Sequence, residues 1–298
     1  MIIKGCKRLK ILASALCVVV VISVMLTIAH MPIKSSAQMP FYNLNPKELV
    51  VRSSFFTTYG NSSKERKTNI ALACKALNNT FVDVGAEFSF NRRVGKRTAE
   101  RGYKTAKIIV NGKFTEGVGG GVCQVSTTLY NALLLADLKI TEFHPHSLPV
   151  SYVAPSFDAM VNSGSADLRF INNTKNPIII NAYADGERLK IVVTGQSLDY
   201  KVLRESQVTG IVEAPKEQEI YDEKGEFPAL YEGESKVISY SKQGIKSQAK
   251  IIRVKGEKVV SSRIIRKDTY KAIQGLIVKG KAKKPQEIEQ ENMDIDIQ

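Results

Sequence analysis

Gly117-Val118-Gly119-Gly120-Gly121-Val122-Cys123-Gln124-Val125-Ser126-Thr127-Thr128-Leu129 puts a run of glycines directly ahead of a helical pattern that opens on a cysteine. Val125, Leu129, Leu133 and Ala136, with Ala132 between them, recur with the period of a buried helical face. A helix is therefore expected to begin at the glycines and to stop near Asp137 or Leu138. Cys123 falls in its first turn. There the unpaired backbone N–H groups and the positive end of the helix dipole favour negative charge, so a thiol ionises more readily. The run is no phosphate loop, because it lacks the Gly-Lys-Ser/Thr ending such a loop requires.

Upstream of the glycines, Lys107 to Val110, Asn111-Gly112 and Lys113-Phe114 spell a hairpin, since Asn-Gly supplies the two positive-φ residues of a tight type I′ turn. Phe88-Ser89-Phe90 alternates as a strand with both aromatics on one side. Earlier still, Val51 to Tyr59 reads as a strand, followed by a polar turn and a helix in which Ile70, Cys74 and Leu77 share a face. Downstream, a strand with Ile140 and Phe143 leads to His144-Pro145-His146, and Ser147 to Val153 is expected to continue extended. Asp167 to Ile171, Pro177 to Tyr183 and Arg188 to Val193 read as sheet, the last two joined at Asp185-Gly186. Past a stretch of mixed charge, Ala249 to Val254 and Val259 to Ile265 form two more strands. The expected fold class is α+β, with the cysteine-bearing helix packed on a mainly antiparallel sheet.

The 298 residues are 43 % hydrophobic, enough for a proper core, and the formal net charge of +14 calls for a polyanion nearby. No zinc-finger spacing, helix-turn-helix signal or aromatic-interleaved RNA motif points to nucleic acid. The N-terminus points elsewhere. Residues 1–10 are basic and precede an uncharged apolar run at 11–29, about the length that spans a bilayer. It reads as a membrane anchor with the chain outside, or as a signal peptide cleaved near Ser35-Ser36-Ala37. Residues 30–50, with Pro32, Pro40 and Pro46, form a tether. The main domain covers 51–195, a small β-rich module 205–280, and a disordered tail 281–298 that is polar and acidic from Glu287 on.

With Cys6 and Cys17 in the leader, an exported body keeps Cys74 and Cys123, where a pair often means a disulfide. Cys74 lies on an apolar helical face instead, and reads as packed in a core. Cys123 then needs a base. His144 and His146 lie downstream, either of them a base or a substrate contact on the functional reading and a surface or core residue on the bland one. Asp158 either orients the base or caps a turn. Gly120 and Gly121 permit close backbone approach and offer N–H groups to an oxyanion; the Gln124 amide is a further donor. Ser126 and Thr127 read as hydrogen-bonding groups of the helix start. A zinc site from Cys, His and His lacks the close-spaced ligand pairs it would need, so no metal or other cofactor is expected.

Phe88-Ser89-Phe90-Asn91, Val94-Gly95, Gly102-Tyr103, the run from Gly119 to Tyr130, His146-Ser147 with Pro149-Val150 and Tyr152, and Asp158-Ala159 together resemble the VanW-like family of bacterial envelope proteins. The resemblance spans about residues 52 to 195, and its histidine is the one before Ser-x-Pro-Val, which is His146. Beyond residue 205, Gly225, Gly233, Gly244 and Arg263 to Tyr270 resemble a small β-rich extracellular module named for its glycines. The family resemblance implies an L,D-transpeptidase that cross-links peptidoglycan through a Cys123 acyl-enzyme, with His146 as base and stem peptides as substrate. Anionic wall polymers are further possible partners, and Arg92, Arg93, Lys96 and Arg97 are either contacts for stem carboxylates or a solvated basic face. Two other readings stand beside it: a non-catalytic wall-binding or glycopeptide-resistance accessory protein, and a cysteine peptidase of stem peptides.

Overall fold

A computed structural model describes residues 49–110, 112–227 and 230–281, which lie in the unit Pro46–Gln298 of a chain that divides after Asn45. The apolar run at 11–29, the tether up to residue 48 and the tail from 282 fall outside the described residues. Among the described residues no helix is long and apolar enough to cross a membrane.

Strands β1 (Val50–Thr58), β2 (Thr80–Val82), β8 (Ile178–Ala184) and β9 (Arg188–Gly195) make an antiparallel sheet in the order β1-β9-β8-β2. Leu189, Ile191 and Val193 alternate inward along β9 and are fully buried, as a half-covered sheet requires. Helices α1 (Lys64–Leu77) and α3 (Val122–Leu135) pack on this sheet, α3 against β1 and β9 and α1 against β8. Between them come β3 (Glu87–Ser89), the short α2 (Phe90–Val94), and the hairpin β4 (Thr105–Val110) and β5 (Lys113–Val118). After α3, β6 (Lys139–Glu142) joins β7 (Arg169–Ile171) and β3 in a second small antiparallel sheet.

The C-terminal part is built on β10 (Lys201–Val212), β13 (Gly244–Lys255) and β14 (Lys258–Tyr270), three long antiparallel strands in the order β10-β13-β14. A further sheet orders β11 (Gln218–Tyr221), β15 (Leu276–Lys279) and β12 (Ser235–Ser239), in which β11 and β15 run parallel. The architecture is mainly antiparallel β with few helices. The hairpins at 107–114 and 185–186, the Cys74 helix and the paired strands after residue 246 follow the expectation.

Four local expectations are corrected. Phe90 does not extend the strand: Ser89 caps α2, accepting a hydrogen bond from the Arg92 N–H, and Phe88 and Phe90 are both buried across that corner. The segment after Glu142 leaves the sheet, so His144 and His146 share no strand, and Ser147 to Val153 turns instead of extending. Prolines 145 and 149 remove the N–H groups a ladder would use. Helix α3 stops at Leu135, with Asp137 in the left-handed region just beyond it. The mixed-charge stretch is not a bare linker, since β10 begins at Lys201 and pairs with β13 along its length.

Helix α3 is buried almost all round, which is the condition of a helix packed on several sides. Its polar residues must then find partners inside the protein, and each does. Thr128 bonds Thr57 of β1, Ser53 donates to the Ala132 carbonyl, and Asn131 donates to the Phe157 carbonyl.

Candidate active site

The glycine run reaches the helix through two positions only glycine satisfies. Gly121, the N-cap residue, has φ of 110°, a region L-residues rarely enter. A Cβ on Gly120 would lie 2.8 Å from the Ala106 and Lys107 carbonyl oxygens of β4. Asn69 of α1 braces the same turn, donating to the Lys104 and Gly120 carbonyls and accepting from the Lys104 N–H. Gly120→Ala is expected to lower unfolding stability by about 1–3 kcal/mol, through forced separation of the turn from β4. Urea unfolding followed by circular dichroism measures it.

Cys123 occupies the first turn of α3 and is only partly buried, with its Sγ 3.3 Å from the Val161 carbonyl oxygen. His146 is the neighbouring side chain that acts most strongly in favour of its ionisation. Asp158 completes the line: its Oδ2 accepts from the His146 backbone N–H at 2.6 Å and lies 2.7 Å from His146 Nδ1. Double anchoring of backbone and ring on one oxygen fixes the imidazole's orientation and leaves Nε2 as the nitrogen for the sulfur. His146 is 7 % exposed and Asp158 fully buried, so the pair is shielded from bulk water.

Burial alone would push the Cys123 thiol up, but the hydrogen bond and charge of His146, together with the nearby Arg97 guanidinium, hold it below its ordinary value. Burial likewise opposes the imidazolium, yet the hydrogen bonds of Asp158 and Cys123 push His146 up to about 9. Both shifts favour a thiolate–imidazolium pair. Cys74 shows the opposite case, its buried thiol pushed up to about 12 with no cation to offset burial. Because His146 titrates higher in the fold than at its ordinary 6.5, its pairing stabilises the protein fully below that value and is lost as the pH rises through about 9.

The other expected site residues divide. Ser126 donates to the Ala159 carbonyl at 2.6 Å, and Thr127 accepts from the Ala159 N–H at 2.9 Å, so together they strap the Asp158 segment to the helix. Gln124 is buried and fully engaged, its Nε2 on Thr57 and on the Thr58 carbonyl and its Oε1 accepting from Arg66. That side chain braces the helix start and does not face the sulfur with a free amide. His144 pairs with Glu142 at 2.9 Å, away from the Cys123 relay. Arg97 donates to Asn91 and to the Gly95 carbonyl. Asn91 in turn lines a polar cleft of about 400 Å³ with Arg92, Glu142, Asp167, Arg169 and Ser163 to Ala166. Three groups that touch the relay carry no local sequence signal: the Val161 carbonyl, Arg266 and Tyr270.

With this geometry in place, comparison with known proteins is informative. Residues 65–194 match the family described as VanW like protein. The chain is 42 % identical over 168 residues to the protein YoaR of Bacillus subtilis, covering 53 % of this chain and 55 % of that one. It is 32 % identical over 126 residues to the vancomycin B-type resistance protein VanW of Enterococcus faecalis, covering 41 % and 46 %. The chain thus spans about half the length of these curated relatives. A solved G5 domain of an IgA1 protease is 21 % identical over 28 % of this chain and 94 % of its own, with a TM-score of 0.19.

Proposed function

We propose that this chain, whose residues 65–194 form a VanW-like domain, is a cell-wall acyltransferase of the L,D-transpeptidase type that works through a Cys123 thioester. The observation that carries the reading is the line Cys123–His146–Asp158 at the start of a buried helix, with the His146 ring held on one carboxylate oxygen. The name of the resistance relative supports a wall-directed role. The apolar run at 11–29 would hold the domain outside the cell membrane, facing its substrate.

In the reaction, the Cys123 thiolate adds to the carbonyl carbon of the third residue of a donor stem peptide. The oxyanion is stabilised by the first-turn N–H of α3. The Val122 and Gln124 amides donate within the turn, to the Gly119 and Gly121 carbonyls, so the donor is the Cys123 amide itself. Collapse breaks the amide bond, and His146 gives its Nε2 proton to the departing amine of the terminal D-alanine. The amine of an acceptor stem then attacks the thioester, His146 takes its proton, and the new amide forms as the thiolate leaves. Arg97 and the adjoining polar cleft would receive the charged ends of the stem.

The test is mass spectrometry of the full chain incubated with purified disaccharide-tetrapeptides. A tetrapeptide minus D-alanine attached to the tryptic peptide Phe114–Lys139, followed by cross-linked dimers, supports transfer. Trimmed monomers alone would make the protein a peptidase, and bound but unaltered muropeptides would make it a binding protein. The pH profile of the rate should rise at a limb below the ordinary thiol value and fall near pH 9, where His146 loses its proton. A single limb at pH 8–9 would mean that the thiol ionises without its histidine.

A further inference from the structure

The acid of the relay is not held by the VanW-like domain alone. Its second oxygen, Oδ1, accepts from the Tyr270 hydroxyl at 2.6 Å and lies 3.3 Å from Arg266 Nη2, while Arg266 Nη1 donates to the Asp158 carbonyl at 2.6 Å. Both residues sit on β14, more than a hundred positions along the chain and beyond the last residue of the family match. Arg266 is 6 % exposed and Tyr270 1 %. The guanidinium is boxed in by the Phe143 ring at 4.7 Å and the Tyr130 ring at 5.8 Å, and its Nε donates to Asp268 at 2.7 Å. Two buried carboxylates, Asp158 and Asp268, thus face two buried cations, His146 and Arg266. Such a cluster is tolerated inside a protein only when its geometry is complete.

The backbone on either side of the acid is held by the same module. Ser156, at a φ of 64° that costs a non-glycine residue energy, donates its N–H to the Tyr270 hydroxyl and shares a hydrogen bond with Ser247 of β13. Ser206 of β10 donates to the Pro155 carbonyl, and the Lys271 N–H donates to the carbonyl of Ser147, next to the histidine. Every strand of the β10-β13-β14 sheet therefore grips the loop that carries Asp158 or its neighbours.

We infer that Arg266 and Tyr270 are positioning residues for the Cys123 relay: they fix the Asp158 carboxylate so that its other oxygen meets His146, making the C-terminal module part of the reaction centre. The inference rests on the proposed Cys123–His146–Asp158 reading. Tyr270 acts as a two-way connector, its hydroxyl accepting from Ser156 and donating to Asp158, and its own ionisation is pushed up by burial and by that carboxylate. The charged and titratable groups around the acid are His146, Arg266, Tyr270, Tyr130 and Tyr152; those around the sulfur are His146, Arg97 and Tyr152.

The experiment is the pH dependence of Cys123 alkylation by iodoacetamide on the full chain, read on the tryptic peptide Phe114–Lys139, which contains no other cysteine. It needs no wall substrate. The variants are Asp158→Asn, Tyr270→Phe, which keeps the ring, and Arg266→Lys, which keeps the charge but not the fork. The native thiol should titrate well below about 8.5, the free-thiol value. Asp158→Asn should raise the midpoint, and Tyr270→Phe and Arg266→Lys should raise it in the same direction, slowing alkylation at pH 7 by about 3- to 10-fold with the melting transition retained. Unchanged or lowered midpoints in both β14 variants, with Asp158→Asn still shifted, overturn the inference alone. So does collapse of both variants, which would make their contacts purely structural. A native midpoint at the free-thiol value would instead remove the Cys123–His146 reading.

Discussion

Cys123→Ala should abolish the formation of cross-linked dimers, a loss of about 10⁴-fold or more, while leaving the fold and muropeptide binding intact. The side chain is partly exposed and its Sγ makes one backbone contact, to Val161, and the buried His146 imidazolium that remains keeps its pairing with Asp158. His146 without the thiolate loses one of the two partners that raise it, and its titration should fall from about 9 toward the imidazole norm. The check is twofold: product analysis by mass spectrometry, and a histidine titration followed by NMR. Residual cross-linking within tenfold of the native rate would show that another group carries the acyl transfer.

Asp158→Ala is the second large expected effect, and it falls on stability as well as on rate. Burial works against the Asp158 carboxylate, but His146, Arg266 and Tyr270 together hold it below the usual carboxylate range. Its contribution to stability is thus present above the ordinary carboxylate value and is lost as the pH falls through the depressed one. Removing it leaves Arg266 with Asp268 as its one carboxylate partner beside the residue-158 carbonyl, and leaves His146 Nδ1 unpaired. A broken buried ion pair of this kind costs about 3–5 kcal/mol, to be read from urea midpoints at neutral pH. Because the native advantage disappears in acid, the gap between native and variant chains should narrow as the pH is lowered below 4. A gap that is constant with pH would mean that the lost packing, and not the lost charge, sets the difference.

The reach of the sequence can be judged residue by residue. Cys123 announces itself because glycines at 119–121 and an apolar period after them are local signals, and Gly120 proves to lie against the β4 backbone. His146 and Asp158 were nameable as candidates, but their meeting depends on how the chain turns after Glu142, which prolines 145 and 149 bend away from the strand expected there. Gln124 illustrates the limit of motif logic. A polar residue beside a nucleophile suggests an oxyanion donor, and here it is consumed by Thr57, Thr58 and Arg66, because a helix start buried between a sheet and another helix needs internal partners. Ser126 and Thr127 show the complement, since their hydroxyls carry the acid segment to the helix. Arg266 and Tyr270 have no periodicity or spacing that ties them to Asp158, as such a contact exists only once two separate sheets have been docked.

The contrast between the two body cysteines has a consequence for oxidation. A thiol held partly ionised beside an imidazolium reacts readily with peroxides, giving a sulfenic acid that a second thiolate must capture if damage is to be reversed. Cys74, buried in α1 with its thiol pushed up to about 12, offers almost no thiolate for that purpose. Cys123 therefore has no resolving partner among the described residues, and oxidation there would run on to the sulfinic state unless an external reductant intervenes.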